Sequence, residues 1–465
     1  MTDPPDAVGR RTLVALSLSA AATTFLYRFL TPEFTNDHFV HLSRAWQILR
    51  GDVPVRDFFD PGLILQYYTS AAALLLSGHN LLGETIVTAF FFAAGAGLTA
   101  IVSARLSGSA WIAAATTAVV VMATPRLYNY PKAFLYVLAL AAAWHWADRP
   151  TTRRLVGLAA ITVLAFLFRY DHGAYIAASV FVLVGIRHRG NARLAAGTML
   201  RYAATGLAMV LPLLVFLQAT VGLARHVRGI SPQIGQAISL RVDWVSPTFD
   251  ASQPLVVVRP AAERRVNVRW AEDVTESERG LGETTHGLTR PAQVGDSTWS
   301  YVLADEGRDR VGRLLDDPAV ADTHGIDRAA RVVDIDEPRH ALLERWIPLL
   351  RTELAPGVFS ARNALAWTYA ATLLVPLAGL LLLVVLLYRG RLAGTEAAVA
   401  GMAVVLGVIV VQTIVRNDPD TRVVDVSTPV AIVGAWIAGR LVRRGRAGAC
   451  GSRRRGRAGR SRPGA

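Results

Sequence analysis

Carboxylates and cations recur immediately beside the apolar runs of this chain. Of its 35 acidic residues, 21 lie within residues 223 to 362, and ten of the remaining 14 fall at one set of run ends. These are Glu33, Asp37, Asp52, Asp57, Asp60, Glu84, Asp171, Asp418, Asp420 and Asp425. The cations Arg56, Arg126, Lys132, Arg169, Arg416 and Arg422 join them at the same level. Ionisable groups held close to hydrocarbon are costly and usually functional. A rim that interleaves both signs can hold an anionic lipid headgroup and set a base beside it. Interfacial ion pairs and solvated loop charges are the competing reading for any single residue. Aromatic residues crowd the same stretches, among them Trp46, Phe58, Phe59, Tyr67, Tyr68, Tyr128 and Tyr130. Interface anchoring accounts for most of them.

What must position such a rim is a set of membrane-spanning helices. The chain has 465 residues, is 52% hydrophobic and carries one cysteine, which excludes a disordered chain and a disulfide-stapled module. The expected spans are 13 to 30, 83 to 104, 109 to 124, 132 to 147, 154 to 169, 173 to 187, 199 to 222, 364 to 388, 394 to 415 and 426 to 442. The first follows Arg10 and Arg11 and stays apolar through Phe25, Leu26 and Tyr27, so it reads as an uncleaved anchor. The stretch 62 to 78 is short and carries Gln66, Tyr67, Tyr68 and Thr69. Laid on the outer surface, it leaves Arg10, Arg11, Arg105, Arg149, Arg153, Arg154, Arg187, Arg189, Arg193, Arg389, Arg391 and the arginines from Arg440 onward in the cytoplasm. Every short loop then obeys the positive-inside rule. Counted as a span, the stretch would move most of those clusters outside. The expectation is a polytopic α-helical protein of the plasma membrane, with about ten transmembrane helices and both termini in the cytoplasm.

An N-terminal transmembrane module, 1 to 222, carries an outer loop at 31 to 82; the C-terminal helices occupy 363 to 442. Between them, residues 223 to 362 hold strand-like runs at Leu255 to Arg259, Arg265 to Trp270 and Thr298 to Leu303. Leu342, Leu343, Trp346, Leu349 and Leu350 give the stretch Ala341 to Leu354 helical spacing. This segment is expected to be an inserted extracytoplasmic mixed α/β domain. Residues 443 to 465 form a basic, disordered cytoplasmic tail held near anionic lipid. The net charge of +14 is arginine-borne except for Lys132 and follows membrane topology, so a nucleic-acid partner is not expected.

The first outer loop reads TNDHFVHLSRAWQILRGDVPVRDFFDPGLILQYYTSAAALLLSG. Asp37 follows the first span, a helix from His38 to Arg50 ends in Gly51, and Pro54, Arg56 and Asp57 come next. A Pro61-containing amphipathic helix then lies along the membrane. This pattern resembles the GT-C superfamily of membrane glycosyltransferases, in the branch of protein O-mannosyltransferases and lipid A aminoarabinose transferases. The resemblance covers roughly residues 10 to 220 in span order. It implies a GT-C-like fold and transfer of a sugar from a polyprenyl-phosphate donor to an extracytoplasmic glycan, lipid or protein acceptor. Asp37 falls where the family keeps its catalytic acidic residue, and Asp57 on its second loop aspartate. LYNYPK (127 to 132) and FRYDHGAY (168 to 175) would face the same cavity. The soluble portion departs from the family in lying between the seventh and eighth spans, not at the C-terminus, which leaves the acceptor open.

Displacing a lipid phosphate from an anomeric carbon needs a base at the acceptor hydroxyl and cations at the leaving phosphate. Asp37 fits the first task, against the competing reading of an N-cap for the helix beginning near His38. Lys132, Arg169 and Arg126 fit the second, arginine engaging phosphate oxygens in bidentate fashion. Asp171, His172, Arg56, Tyr130 and Arg422 are candidates for contact with sugar or acceptor. For Asp171 and His172 a cap on the next span competes, and for Arg422 an ion pair with Asp418 or Asp425. His38 and His41, at helical i, i+3 spacing beside Asp37, could hold a divalent metal, although the basic residues could neutralise phosphate without one. No zinc-ligand spacing, phosphate-cradling glycine loop or nucleotide fingerprint occurs, in agreement with a lipid-borne donor. The rivals from other classes are a polytopic transporter, which would place charge near the bilayer midplane, and a non-catalytic membrane scaffold of cell-envelope assembly.

Overall fold

Each of the ten apolar runs contains a helix. In the computed structural model the described residues are 8–123, 126–238, 244–247, 256–259, 265–271, 273–286, 288–293, 295–303, 320–324, 361–392, 394–412 and 424–458. They belong to two compact units, Met1–Ser239 with Ala364–Ala465, and Leu240–Asn363. The helices of the first unit are α1 (Arg10–Leu30), α2 (Asn36–Leu49), α3 (Ile64–Leu76), α4 (Leu81–Ser107), α5 (Ala110–Met122), α6 (Tyr130–Asp148), α7 (Thr152–Phe168), α8 (Tyr170–Arg187), α9 (Ala192–Thr220) and α10 (Leu223–Ile238). After the second unit, in which α11 (Glu276–His286) lies, come α12 (Ala361–Tyr388), α13 (Gly394–Val411) and α14 (Ser427–Ala458). Among the described residues five are long and apolar enough to cross a membrane: α1, α4, α9, α12 over Trp367–Tyr388, and α13. That length and composition fit a helical membrane protein. The 13 residues of α3 rise only about 20 Å, short of the roughly 30 Å of a hydrocarbon core, and α5, expected as a span over 109 to 124, is a helix of the same 13 residues.

Polar caps start several of these helices. Asn80 accepts from the Leu82 N–H ahead of α4, Thr151 from Arg154 ahead of α7, and Asn191 from Leu194 ahead of α9. α4 is the hub, packed against α1, α5, α6 and α14. Small residues let it approach its neighbours: a Cβ on Gly95 would sit 2.8 Å from the Ala133 carbonyl oxygen of α6. On the α1 side, Ser17 Oγ donates to the Gly97 carbonyl at 3.1 Å. α13 packs on α8, α6 and α14. The starts of α4, α6, α8 and α14 meet at one end of this bundle, where α2 and α3 also lie; side-chain bonds between these elements, given below, define that end as the rim.

In the second unit, β3 (Arg265–Trp270), β4 (Leu288–Gln293), β5 (Thr298–Leu303) and β6 (Val320–His324) form an antiparallel sheet in the order β4-β5-β3-β6. Strands β1 (Trp244–Pro247) and β2 (Val256–Arg259) make a separate antiparallel pair. The core of the larger sheet is Val268, Trp270, Leu288 and Tyr301. Tyr301 Oη accepts from Trp270 Nε1 at 2.9 Å and donates to Glu283 on α11 (Glu276–His286) at 2.8 Å, which satisfies the buried hydroxyl. Pro291 falls where the β4 register shifts against β5, on an edge strand, where a missing N–H is tolerated. The expected helical stretch 341 to 354 and residues 459 to 465 lie outside the described residues, whereas residues 443 to 458, expected as part of a disordered tail, continue helix α14.

Candidate functional site at the rim

Asp37 sits in the first turn of α2. Thr35, with extended backbone, occupies the cap position before Asn36, so Asp37 is one residue inside the helix and the cap reading does not describe it. Its exposed carboxylate accepts a hydrogen bond from Tyr128 Oη at 2.9 Å. Arg126 Nη1 donates to that same hydroxyl at 3.3 Å. Tyr128 lies in a single 3-10 turn, Leu127–Asn129, ahead of α6, and Gln66 Nε2 of α3 donates to its carbonyl at 2.8 Å. The phenol is therefore held from both backbone and hydroxyl. Burial pushes its pKa upward, with the Asp37 carboxylate adding and Arg126 opposing, so it remains a donor at neutral pH.

A buried layer fixes α2 behind this group. His38 Nε2 lies 2.9 Å from Glu84 Oε1, and Ser70 Oγ donates to the same oxygen at 3.0 Å, which joins α2, α3 and α4. One turn on, His41 stands edge-on to the rings of Tyr67 and Tyr128, with centroids 5.7 Å and 5.5 Å away. Burial first, then His38, lowers its pKa to about 4, so it is neutral at pH 7. His38 and His41 are thus engaged with Glu84 and with aromatic faces. Among the described residues no group of three or more His, Cys, Asp or Glu is arranged to hold a metal ion.

The second part of the rim joins the two ends of the chain. Asp425, in the 3-10 turn Val424–Val426 before α14, accepts from Lys132 Nζ and from Asn129 Nδ2, both at 2.8 Å. Lys132, expected as a phosphate cation, therefore has a carboxylate partner across 293 residues of sequence. Arg126 lies in the field of both Asp37 and Asp425, which connects the two groups. Arg169 Nε is 2.9 Å from Asp171 Oδ1, an oxygen that also accepts the His172 N–H at 2.9 Å. Arg169 acts electrostatically on His41, and Lys132 on Asp171. One cluster thus contains Asp37, Tyr128, Arg126, Asp425, Lys132, Arg169 and Asp171.

Other expected site residues go elsewhere. Arg56 and Asp57 form an exposed pair at 2.7 Å, and Asp57 also accepts the Val53 N–H at 2.7 Å. The Arg56 hydrogen bond, then that N–H, hold the Asp57 carboxyl below its ordinary range. Among the described bonds none ties this pair to Asp37. Tyr130, expected at the sugar, is 0% exposed and stacks on Phe91, with Phe168 edge-on. It packs the helical core, because α6 begins at this residue and turns the ring inward. His172 is likewise buried, against Tyr136. Arg416, Asp418, Asp420 and Arg422 lie outside the described residues. Asn129, Gln66 and Ser70 carried no local signal, since each acts through a partner distant in sequence. No protein-family model, no curated protein and no solved structure matches this chain.

Proposed function

We propose that the protein is a membrane glycosyltransferase that moves a sugar from a polyprenyl-phosphate donor to an acceptor glycan, lipid or protein on the extracytoplasmic face. In this reading about ten helices span the plasma membrane, both termini are cytoplasmic, and the second unit, 240 to 363, lies outside, as does the rim. The observation that carries it is the Asp37, Tyr128 and Arg126 group, an exposed carboxylate with a fixed donor and a guanidinium beside it. Asp37 takes the acceptor proton as general base. Arg126 and Arg169, with Lys132 behind them, stabilise charge on the departing lipid phosphate. The starts of α6, α8 and α14 near the same cluster add the partial positive charge of helix N-termini, which favours an anion there. The resemblance of the first outer loop to GT-C glycosyltransferases supports the same chemistry.

The test is transfer of radiolabelled sugar from polyprenyl-phosphate donors into a lipid or envelope extract by the purified protein. Label should move into an acceptor only when the donor is lipid-linked. No transfer from any polyprenyl-phosphate sugar by protein that is folded and inserted would reject the reading. A cysteine placed at Ser300 should react with an impermeant reagent in intact cells, and reaction only after permeabilisation would reject the topology.

A further inference from the structure

Among the described residues, the buried polar atoms with no hydrogen-bond partner include Asp60 Oδ2, Tyr170 Oη and His226 Nε2. They come from three elements. Asp60 is 1% exposed, and its other oxygen, Oδ1, accepts the N–H groups of Gly62 at 3.0 Å and Leu63 at 2.8 Å. The turn needs Gly62, whose φ is +105° and whose missing Cβ would lie 2.4 Å from the Tyr170 ring. Tyr170 starts α8; its N–H donates to the Gly62 carbonyl at 3.3 Å, and its ring stacks on Phe166. The His226 ring stands edge-on to Tyr170 at 6.2 Å, and His226 and Asp60 interact electrostatically, as do Asp60 and Tyr170. The three residues are thus neighbours, with His226 contributed by α10.

Helix α10 has one buried face and one exposed face. His226 and Ile230 are buried, whereas Arg225, Val227 and Arg228 on its other side are exposed. It is joined to α9 through Gly222, at φ +80° with open space where a Cβ would be. The Phe59 ring, 52% exposed, lies 3.7 Å from where a Gly229 Cβ would be.

Unmatched buried polar groups are costly, and three together call for a partner that supplies both donors and acceptors. An anion is disfavoured by Asp60. A hydroxylated group meets the need: the carboxylate accepts a hydrogen bond from one hydroxyl, Tyr170 and His226 hydrogen-bond the second, and the rings of Tyr170 and Phe59 offer faces for a sugar's C–H groups. We propose that Asp60, Tyr170 and His226 bind adjacent hydroxyls of a neutral carbohydrate, with α10 moving about Gly222 to admit it. The inference rests on the sugar-transfer reading for its physiological role, and there it makes the acceptor a neutral glycan.

The experiment is a saturation-transfer NMR titration of the full chain in nanodiscs with methyl glycosides of mannose, glucose, galactose and arabinose. The wild type should bind at least one of them. Tyr170→Phe should weaken that binding roughly threefold to tenfold, and Asp60→Asn on the order of tenfold or more. Tyr170→Phe keeps the ring over Gly62 and removes a hydroxyl that has no protein partner, so its melting temperature should not fall. Equal affinity in wild type and both variants, or no glycoside bound by the wild type, would overturn the proposal and leave three atoms that hold internal water only. Binding is read without transfer, so the two readings fail separately. Hydroxyl-dependent binding by a protein that transfers nothing keeps this site and rejects the transferase; transfer with binding indifferent to Tyr170 and Asp60 does the reverse.

Discussion

The two ends of the helical unit carry charge for different purposes. At the end opposite the rim, arginines meet main-chain carbonyls where helices finish. Arg443 donates to the Leu106 and Ser107 oxygens of α4 at 3.4 and 3.3 Å, Arg187 to Ala147 at 2.9 Å, and Arg189 to Leu392 at 3.2 Å. Glu396 holds Arg440 at 2.6 Å and Arg443 at 3.2 Å. Helix C-termini leave unpaired carbonyls and partial negative charge, and arginine answers both. At the rim the bonds run mainly from side chain to side chain: Tyr128 to Asp37, His38 to Glu84, Lys132 to Asp425, Arg169 to Asp171. Asp37 makes no cap; in the first turn of α2 it meets the partial positive charge of the helix N-terminus, and its exposed carboxylate also takes the hydrogen bond of Tyr128 from another element. One end answers the needs of the backbone, and the other adds bonds between side chains distant in sequence.

Substitutions can break this contrast, beginning with the largest effect. Asp425→Ala should cost about 3–5 kcal/mol, because it removes the carboxylate that Lys132 and Asn129 share in a buried setting. Unfolding of the detergent-solubilised protein measures it, and a loss below about 1 kcal/mol would mean the pair is solvated like a surface bridge. A pH effect should follow in size. The folded pKa of His41 is lowered to about 4 from 6.5, so between those values the unfolded chain binds the extra proton. Stability should therefore be intact above about pH 6.5 and fall progressively toward pH 4, by up to roughly 3 kcal/mol. His41→Gln should flatten that part of the melting-temperature profile, and an unchanged profile would remove His41 as the cause.

Two smaller effects separate the ends further. Tyr128→Phe removes the hydrogen bond that holds Asp37 and should lower turnover about tenfold, with donor affinity kept. Equal turnover in kinetic assays of the variant and wild type would deny Tyr128 a positioning role. Glu396→Ala, on the other end, should cost about 1 kcal/mol or less and leave turnover unchanged. A loss of transfer in that variant would break the division of labour between the ends.

Much of the scaffold was legible in the sequence, because hydrophobic runs and strand alternation are local. All ten runs contain helices, β3 and β5 match their expected ranges, and β2 starts at Val256, one residue later than expected. Asp37 was legible for a similar reason, as a carboxylate just past an apolar run. Its partners were not. The bond from Tyr128 to Asp37 crosses 91 residues and that from Lys132 to Asp425 crosses 293. Which helix ends meet is decided by tertiary packing, and no window of sequence contains it. Tyr128 and Tyr130 show the limit: two residues apart, alike in sequence and both buried, one carries its hydroxyl from a 3-10 turn to Asp37 and the other packs its ring on Phe91 where α6 begins. The orphaned atoms of Asp60, Tyr170 and His226 were hidden in the same way.

The most direct measurement of the central claim is turnover of Asp37→Asn and Asp37→Ala in the lipid-donor transfer assay, with donor binding and unfolding followed alongside. Asn keeps size and hydrogen bonding to Tyr128 but cannot take a proton. Both variants should lose on the order of 10²-fold or more in turnover while donor binding and stability stay near wild type. Near-normal turnover in the Asn variant would contradict the account, because Asp37 would then be a hydrogen-bonding residue of the rim and not its base.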